Sequence, residues 1–430
     1  MKSRRGFLKE AAALTLFSSS FSPSVCAEAS AIPPAQAQAK NREPLGWKPH
    51  PIKRGDGHGG WNVHVGEYQF LVHQNLGVNL FPYGLAQMDN GETVLAAAWN
   101  DGKGKGFDAW RPVVTFSRDA GKTWTEMKAV PEVRGRPVVM TYLGKGNLVL
   151  ECEPGPKQYF SSDYGRTWPE QKAVHPSVSG DAVNGEGNTL VEPAAVGGSP
   201  AIAEIGYCYP KGTKWPADPA VGIVRWSGDG GRTWINETAP KEWRWEDEYQ
   251  GKRYARGVSE GSLVRAANGW LVAALRTDLP ARYLDVPNND SLEGTAVSIS
   301  PDNGVTWSPL QVLYDAGRHH PHLLKLANGD LLMVLIVRVD VQGGKMASYR
   351  RGLEAVLSHD NGLTWDLAHK YVLDDYEFYD GNEWFNGECG HCCTALLDNG
   401  FVLSAYAHYL TKGTSLMLWK PVLNRDTPQR

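Results

Sequence analysis

Past its first thirty residues the chain has no apolar run long enough to cross a bilayer, so no membrane span is expected once that segment is removed. It has no excess of basic charge either. Lys and Arg number 44 against 47 Asp and Glu, and no basic stripe of the kind that tracks a phosphate backbone is present, which excludes a nucleic-acid partner. Cysteine is scarce. Cys152, Cys208, Cys389, Cys392 and Cys393 follow no regular spacing, which excludes a disulfide framework. The stretch "ECGHCC" at Glu388 invites a metal reading, but neighbouring side chains on a strand face opposite ways, so Cys392 and Cys393 are not expected to share an ion. Neither a metal nor a cofactor is expected.

What is present begins with an address. "SRRGFLK" at Ser3, the apolar run "AAALTLF" and the small residues around "VCAEA" read as a twin-arginine export signal. Cleavage is expected after Ala27 or Ala29, leaving a net charge of about −5 and a periplasmic or secreted protein. A flexible leader is expected over residues 30–58, a folded body over 59–424 and a short tail over 425–430.

The body repeats one small turn. "SRDAGKTW" at Ser117, "SSDYGRTW" at Ser161, "SGDGGRTW" at Ser227, "SPDNGVTW" at Ser300 and "SHDNGLTW" at Ser358 share the form Ser-x-Asp-x-Gly-x-Thr-Trp. The Asp folds its carboxylate onto nearby backbone N–H groups, and the Gly takes a positive φ that other residues resist. Successive Asp positions lie 44, 66, 73 and 58 residues apart, a spacing that fits one type of unit with variable loops.

A second repeat alternates with the first. "LAQMDNGETVLAAAW" at Leu85, "SLVRAANGWLVAALRT" at Ser262, "LLKLANGDLLMVLIVR" at Leu323 and "TALLDNGFVLSAYAHY" at Thr394 place Asn-Gly between apolar strands, a strong hairpin signal. "YLGKGNLVLEC" at Tyr142 and "PAIAEIGYCYP" at Pro200 are looser copies. An apolar inner hairpin followed by an outer hairpin closed by the Asp turn is a four-stranded propeller blade. The expected fold is all-β, a six-bladed β-propeller, with a strand near "YQFLVHQN" at Tyr68 completing the last blade.

Hairpin arithmetic locates a site. Residues equally far before and after Asn-Gly meet at the open end of each inner hairpin. With two-residue turns, Glu260 pairs with Thr277, Arg276 with Gly261, Arg338 with His319, His391 with His408 and Phe81 with Asn100. Glu260, Arg276, Arg338, His319, His391 and His408 thus converge from three blades, a polar set of the kind that marks a binding site. The histidine-rich "RHHPHLL" at Arg318 adds His322.

The five Asp turns resemble those of the sialidase superfamily, the Asp-box propellers, over roughly residues 60–423. The resemblance implies that the turns lie on the rim, away from the reacting centre. "SEGSLVRAANGWLVAALRTD" resembles the segment in which a glutamate opens a hairpin and a carboxylate-binding arginine ends it, which implies those roles for Glu260 and Arg276. Arg338 and Arg351 match the arginines of the next blade, and His391 stands where a tyrosine is common. The implied acid is Asp101 or Asp108, and the implied nucleophile is one of Tyr376, Tyr379, Tyr406 and Tyr409. One element of the pattern is missing. Leu80-Phe81-Pro82 replaces the Arg-Ile-Pro that supplies the first arginine for a sialic carboxylate.

These parts imply an exported, exo-acting glycoside hydrolase that releases a terminal acidic sugar from a glycan or oligosaccharide, acting as a monomer. Tyrosine nucleophiles are a known exception to the two-carboxylate scheme, and paired N–H donors suit arginine to a substrate carboxylate. Two other classes stay open: a lyase on uronate-containing glycans using His or Tyr as base, and a glycan-binding propeller without catalysis.

Overall fold

Six antiparallel sheets stand around one axis in the computed structural model, which describes residues 48–49, 51–64, 69–73, 80–100, 109–153, 155–192, 201–213, 218–286, 289–377, 391–408 and 413–423. Blade I runs Leu80–Gln87, Thr93–Asn100, Trp110–Ser117 and Lys128–Ala129, each strand beside the next. Blades II, III and IV repeat the order over 136–173, 190–238 and 258–314. Blade V spans 318–377 and blade VI 392–419. The innermost strands of neighbouring blades meet around the centre, as a six-bladed propeller requires.

Blade VI has only three strands of its own. Gln69–His73 supplies the fourth, antiparallel to Gly413–Trp419 with Leu71 opposite Leu416. The chain before it does more than lead in. Ile52–Gly55 pairs with the outer strand of blade V, and Trp61–His64 pairs with Ile52–Gly55 in turn. The leader expected over 30–58 is therefore shorter, because the fully buried Ile52 belongs to the core between blades V and VI.

Apolar wedges between blades hold the ring. Leu353, Val334 and Tyr371 of blade V pack with Val402, Tyr406 and Trp419 of blade VI, and similar clusters join VI to I, I to II, III to IV and IV to V. Strand alternation sends Cys392 into the V–VI wedge and Cys393 into the VI–I wedge, on opposite faces as expected. Between blades II and III lie buried polar groups: Glu151, Gln158, Glu204 and Arg225. Burial, then the nearby Glu204 carboxylate, pushes Glu151 up to about 8.

The five Asp turns are built alike. In each, the Ser hydroxyl donates to Asp Oδ1 and accepts the Gly N–H. The Asp then accepts the Thr N–H and Thr hydroxyl at 2.6–2.9 Å. The Gly, at φ of +79° to +91°, lies against the preceding blade. A Cβ on Gly121 would meet Leu403 of blade VI at 2.9 Å, and one on Gly362 would meet Val272 of blade IV at the same distance. The turns clip neighbouring blades together, and Arg166 adds to this by reaching Glu92 of blade I at 2.6 Å.

The four Asn-Gly hairpins differ from the expected two-residue turns. Each of the four closes through a three-residue loop, such as Ala267-Asn268-Gly269 between Ala266 and Trp270, with Gly269 at φ +90°, whereas blade II turns through Lys145-Gly146 alone between Gly144 and Asn147. Register shifts accordingly by one or two: Gly261 faces Leu275, His319 faces Ile336, Cys392 faces Tyr406 and Phe81 faces Ala98. The open ends of the hairpins still gather at one end of the axis.

Candidate functional site

Near that end four inner strands carry a β-bulge: at Tyr83 in blade I, at Val138 in blade II, at Ser259-Glu260 in blade IV and at His320-Pro321 in blade V. A bulge breaks the alternation of faces and re-aims its side chains, here inward. The blade V bulge is strained. His320 adopts φ +54° although it is not glycine and precedes proline, a conformation of the sort that surrounding structure must impose.

Blades IV and V build one part of the site. Glu260 Oε1 accepts a hydrogen bond from Arg276 Nη1 at 2.6 Å, and Arg276 Nη2 also pairs with Glu293. Arg338 Nη2 donates to Ser291 Oγ at 3.2 Å. All of these side chains are buried, with Glu260 and Arg276 each 2% exposed. His319 lies among them. Burial, then the Arg276 and Arg338 guanidiniums, holds it well below the usual histidine range, so it is a neutral imidazole.

The next residue leads into a second part, on the axis itself. The His320 ring lies 4.3 Å from that of His391, and His391 lies 4.4 Å from Tyr83. His391 Nε2 is 3.8 Å from Glu186 Oε2, while Glu186 Oε1 accepts the Tyr207 hydroxyl at 3.1 Å. Arg136 donates to the Tyr83 phenolic oxygen at 2.7 Å and pairs with Glu153. Tyr83, Glu186, His320 and His391 line an axial cavity of about 260 Å³, together with His322, which burial and then His320 press down to about 3.

A third part joins blades V and VI. His408 Nε2 lies 3.4 Å from Asp374 Oδ2, and the ring of Tyr376 stacks on His408 at 4.2 Å. Arg351 sits opposite Tyr376 in the strand ladder and is fully buried.

The structure thus brings Glu260, Arg276, Arg338 and His319 into one cluster, His391 and His322 to the axial cavity, and His408 and Arg351 beside Tyr376. Tyr406 packs into the apolar V–VI wedge with no exposed surface. Asp101, Asp108, Tyr379 and Tyr409 lie outside the described residues.

Sequence reasoning missed Tyr83, Arg136, Glu186, Tyr207 and Glu293. Glu186 carried a signal, because it stands between two glycines in "NGEGN". A Cβ on Gly187 would lie 1.5 Å from the Gly261 carbonyl oxygen, so the backbone reaches the axis only with glycine there.

A crystal structure of a protein of unknown function from Dyadobacter fermentans superposes with a TM-score of 0.54 at 18% identity, covering 80% of this chain and 95% of that one. A Hadza microbial sialidase, Hz136, superposes with a TM-score of 0.50 at 16% identity, covering 80% of this chain and 66% of that one. The chain has the sialidase-like propeller fold. No protein-family model matches the sequence, and no curated protein does. At such identities the likeness settles the sialidase-like fold and leaves the chemistry to the site. No helix among the described residues is long and apolar enough to cross a membrane.

Proposed function

We propose that the chain is a glycoside hydrolase that releases a terminal acidic sugar from a glycan, working at the axial end of the propeller. The observation that carries this reading is the burial of Glu260, Arg276, His319 and Arg338 in one contact cluster at the converging strand ends. The sialidase-like fold supports it by analogy. Glu260 acts as the carboxylate that draws a proton from the attacking group, and Arg276, held by Glu260 and Glu293, fixes where that carboxylate points. Two carboxylates already occupy Arg276, so Arg338 and Arg351 take the larger share of a substrate carboxylate. Neutral His319 positions these groups and adds no charge of its own. Of the tyrosines implied as nucleophile, Tyr376 is a half-buried one beside the site, and Asp101 or Asp108 supplies the acid. Export by the twin-arginine route belongs to the same proposal and rests on "SRRGFLK", the apolar run "AAALTLF" and the small residues around "VCAEA".

The Asp374–His408 pair favours a second reading. A carboxylate-oriented histidine stacked on tyrosine is an arrangement for proton abstraction, as a lyase acting on a uronate would need. A panel of defined acidic oligosaccharides separates the readings. Hydrolysis gives a new reducing end without ultraviolet absorbance, elimination gives an absorbing unsaturated product, and a binding module gives neither. Arg338→Ala is expected to weaken turnover of acidic substrates more than of neutral ones, and equal losses would assign Arg338 to structure.

A further inference from the structure

Glu186, His320 and His391 form a cluster that the hydrolase reading does not use. They come from the loop ahead of blade III, the bulge of blade V and the start of blade VI. One ligand atom from each lies within 4.8 Å of the others, and all three residues are buried. We propose that these three side chains hold a divalent first-row transition-metal ion of the zinc class at the propeller axis.

The donor set argues for that class. Two imidazoles and one carboxylate suit zinc and its neighbours, whereas calcium and magnesium take oxygen ligands and copper(I) takes sulfur. Three protein ligands leave a fourth position, and these three line the axial cavity, which has room for water or a substrate oxygen. The two carboxylate oxygens of Glu186 have different neighbours. Oε2 lies toward His391 Nε2, while Oε1 accepts the Tyr207 hydroxyl and lies 3.9 Å from Arg136. Such outer contacts orient a ligating carboxylate. Arg136 is the nearby cation, and Glu153 pairs with it, so the carboxylate of Glu186 remains as net negative charge for an incoming ion. Bonds of about 2.0–2.1 Å in a tetrahedron put ligand atoms roughly 3.3 Å apart, so an ion needs these side chains to close by about 1 Å or more. Side-chain rotation supplies a movement of that size. The left-handed backbone of His320, ahead of Pro321, and the glycines on either side of Glu186 bring both residues to the axis.

The test uses the full chain without a histidine tag, stripped with chelator and titrated with zinc sulfate alone by calorimetry, with metal content read by elemental analysis. One zinc per chain is expected, and cobalt(II) in its place should give visible bands typical of four-coordinate geometry. His391→Ala and Glu186→Gln should each weaken uptake at least about 100-fold, and Tyr207→Phe about 10- to 100-fold. Cys393→Ser, in the VI–I wedge, should change nothing. Absence of stoichiometric uptake by the wild-type chain overturns the proposal, as does uptake unaltered in folded His391→Ala and Glu186→Gln. Should either of those variants fail to fold, unchanged zinc affinity in Tyr207→Phe overturns it instead. Zinc uptake is read without substrate, so the result stands apart from any outcome of the oligosaccharide panel.

Discussion

The two ends of the blades solve the same problem differently. In the Ser-x-Asp-x-Gly-x-Thr-Trp turns, the Ser, Asp and Thr side chains find partners two to four residues away, and these contacts repeat five times. Arg166 and Arg232 of these turns also reach Glu92 and Glu170 of the preceding blade. At the axial end, ionisable groups lie buried and find partners on other blades or far along the chain: Arg136 with Tyr83, Tyr207 with Glu186, His391 with His320. Local bonding is indifferent to the rest of the molecule. Cross-blade bonding exists only in the finished ring, and a buried charge is tolerated there only while its partner stays. One end therefore serves assembly, and the other places reactive groups where water is sparse.

The contrast can be broken at several points. Largest should be Glu260→Gln, which is expected to lower glycan turnover by about 1000-fold in a steady-state assay while leaving the circular-dichroism spectrum intact. Full activity in that variant would remove Glu260 from the chemistry and make the axial cluster an ordinary structural one. Glu293→Ala should come next, costing about 3–5 kcal/mol in urea unfolding because Arg276 loses one of its two buried carboxylate partners. A change under 1 kcal/mol would show that Glu260 alone suffices.

Stability against pH sharpens the comparison, because two buried glutamates respond with opposite signs. Burial alone would raise Glu354, but Arg318, Lys370 and Arg350 outweigh it and hold its carboxyl at about 2. Its contribution is complete above the ordinary glutamate range and is lost as pH falls towards 2. Glu151, raised to about 8, contributes fully below the ordinary range and loses that contribution as pH rises towards 8. Melting scans should show Glu354→Gln flattening the acid limb and Glu151→Gln the limb between about pH 5 and 8. If both variants shift the same limb, the assignment of charge at the II–III wedge is mistaken. The smallest effect belongs to the turns. Asp163→Ala should cost about 1 kcal/mol and leave turnover untouched, since its bonds end within its own turn. Lost activity there would erase the distinction between the ends.

The same distinction explains what the sequence revealed. The propeller was legible because each Asp turn and each Asn-Gly hairpin is encoded within eight or so residues, as at Ser117 to Trp124. The Glu260–Arg276 contact was legible because one hairpin brings the pair together, although a three-residue loop and a bulge moved the register. Arg136, Glu186 and Tyr207 were invisible to that arithmetic, since nothing in a single hairpin tells which distant strand will face it across the axis. His320 lay inside "RHHPHLL" but was not singled out, and its left-handed backbone is imposed by the surrounding ring.

The two N-terminal additions carry a further consequence. Residues 52–64 extend blade V and residues 69–73 complete blade VI, so these strands are synthesised well before their partners, which come only with the fifth and sixth blades. Until then those N-terminal strands stay unpaired, and unpaired edges invite association with other chains. His320, His391 and His408 sit on the blades fastened last, so closing the circle and assembling the axial residues amount to a single event in the life of each chain.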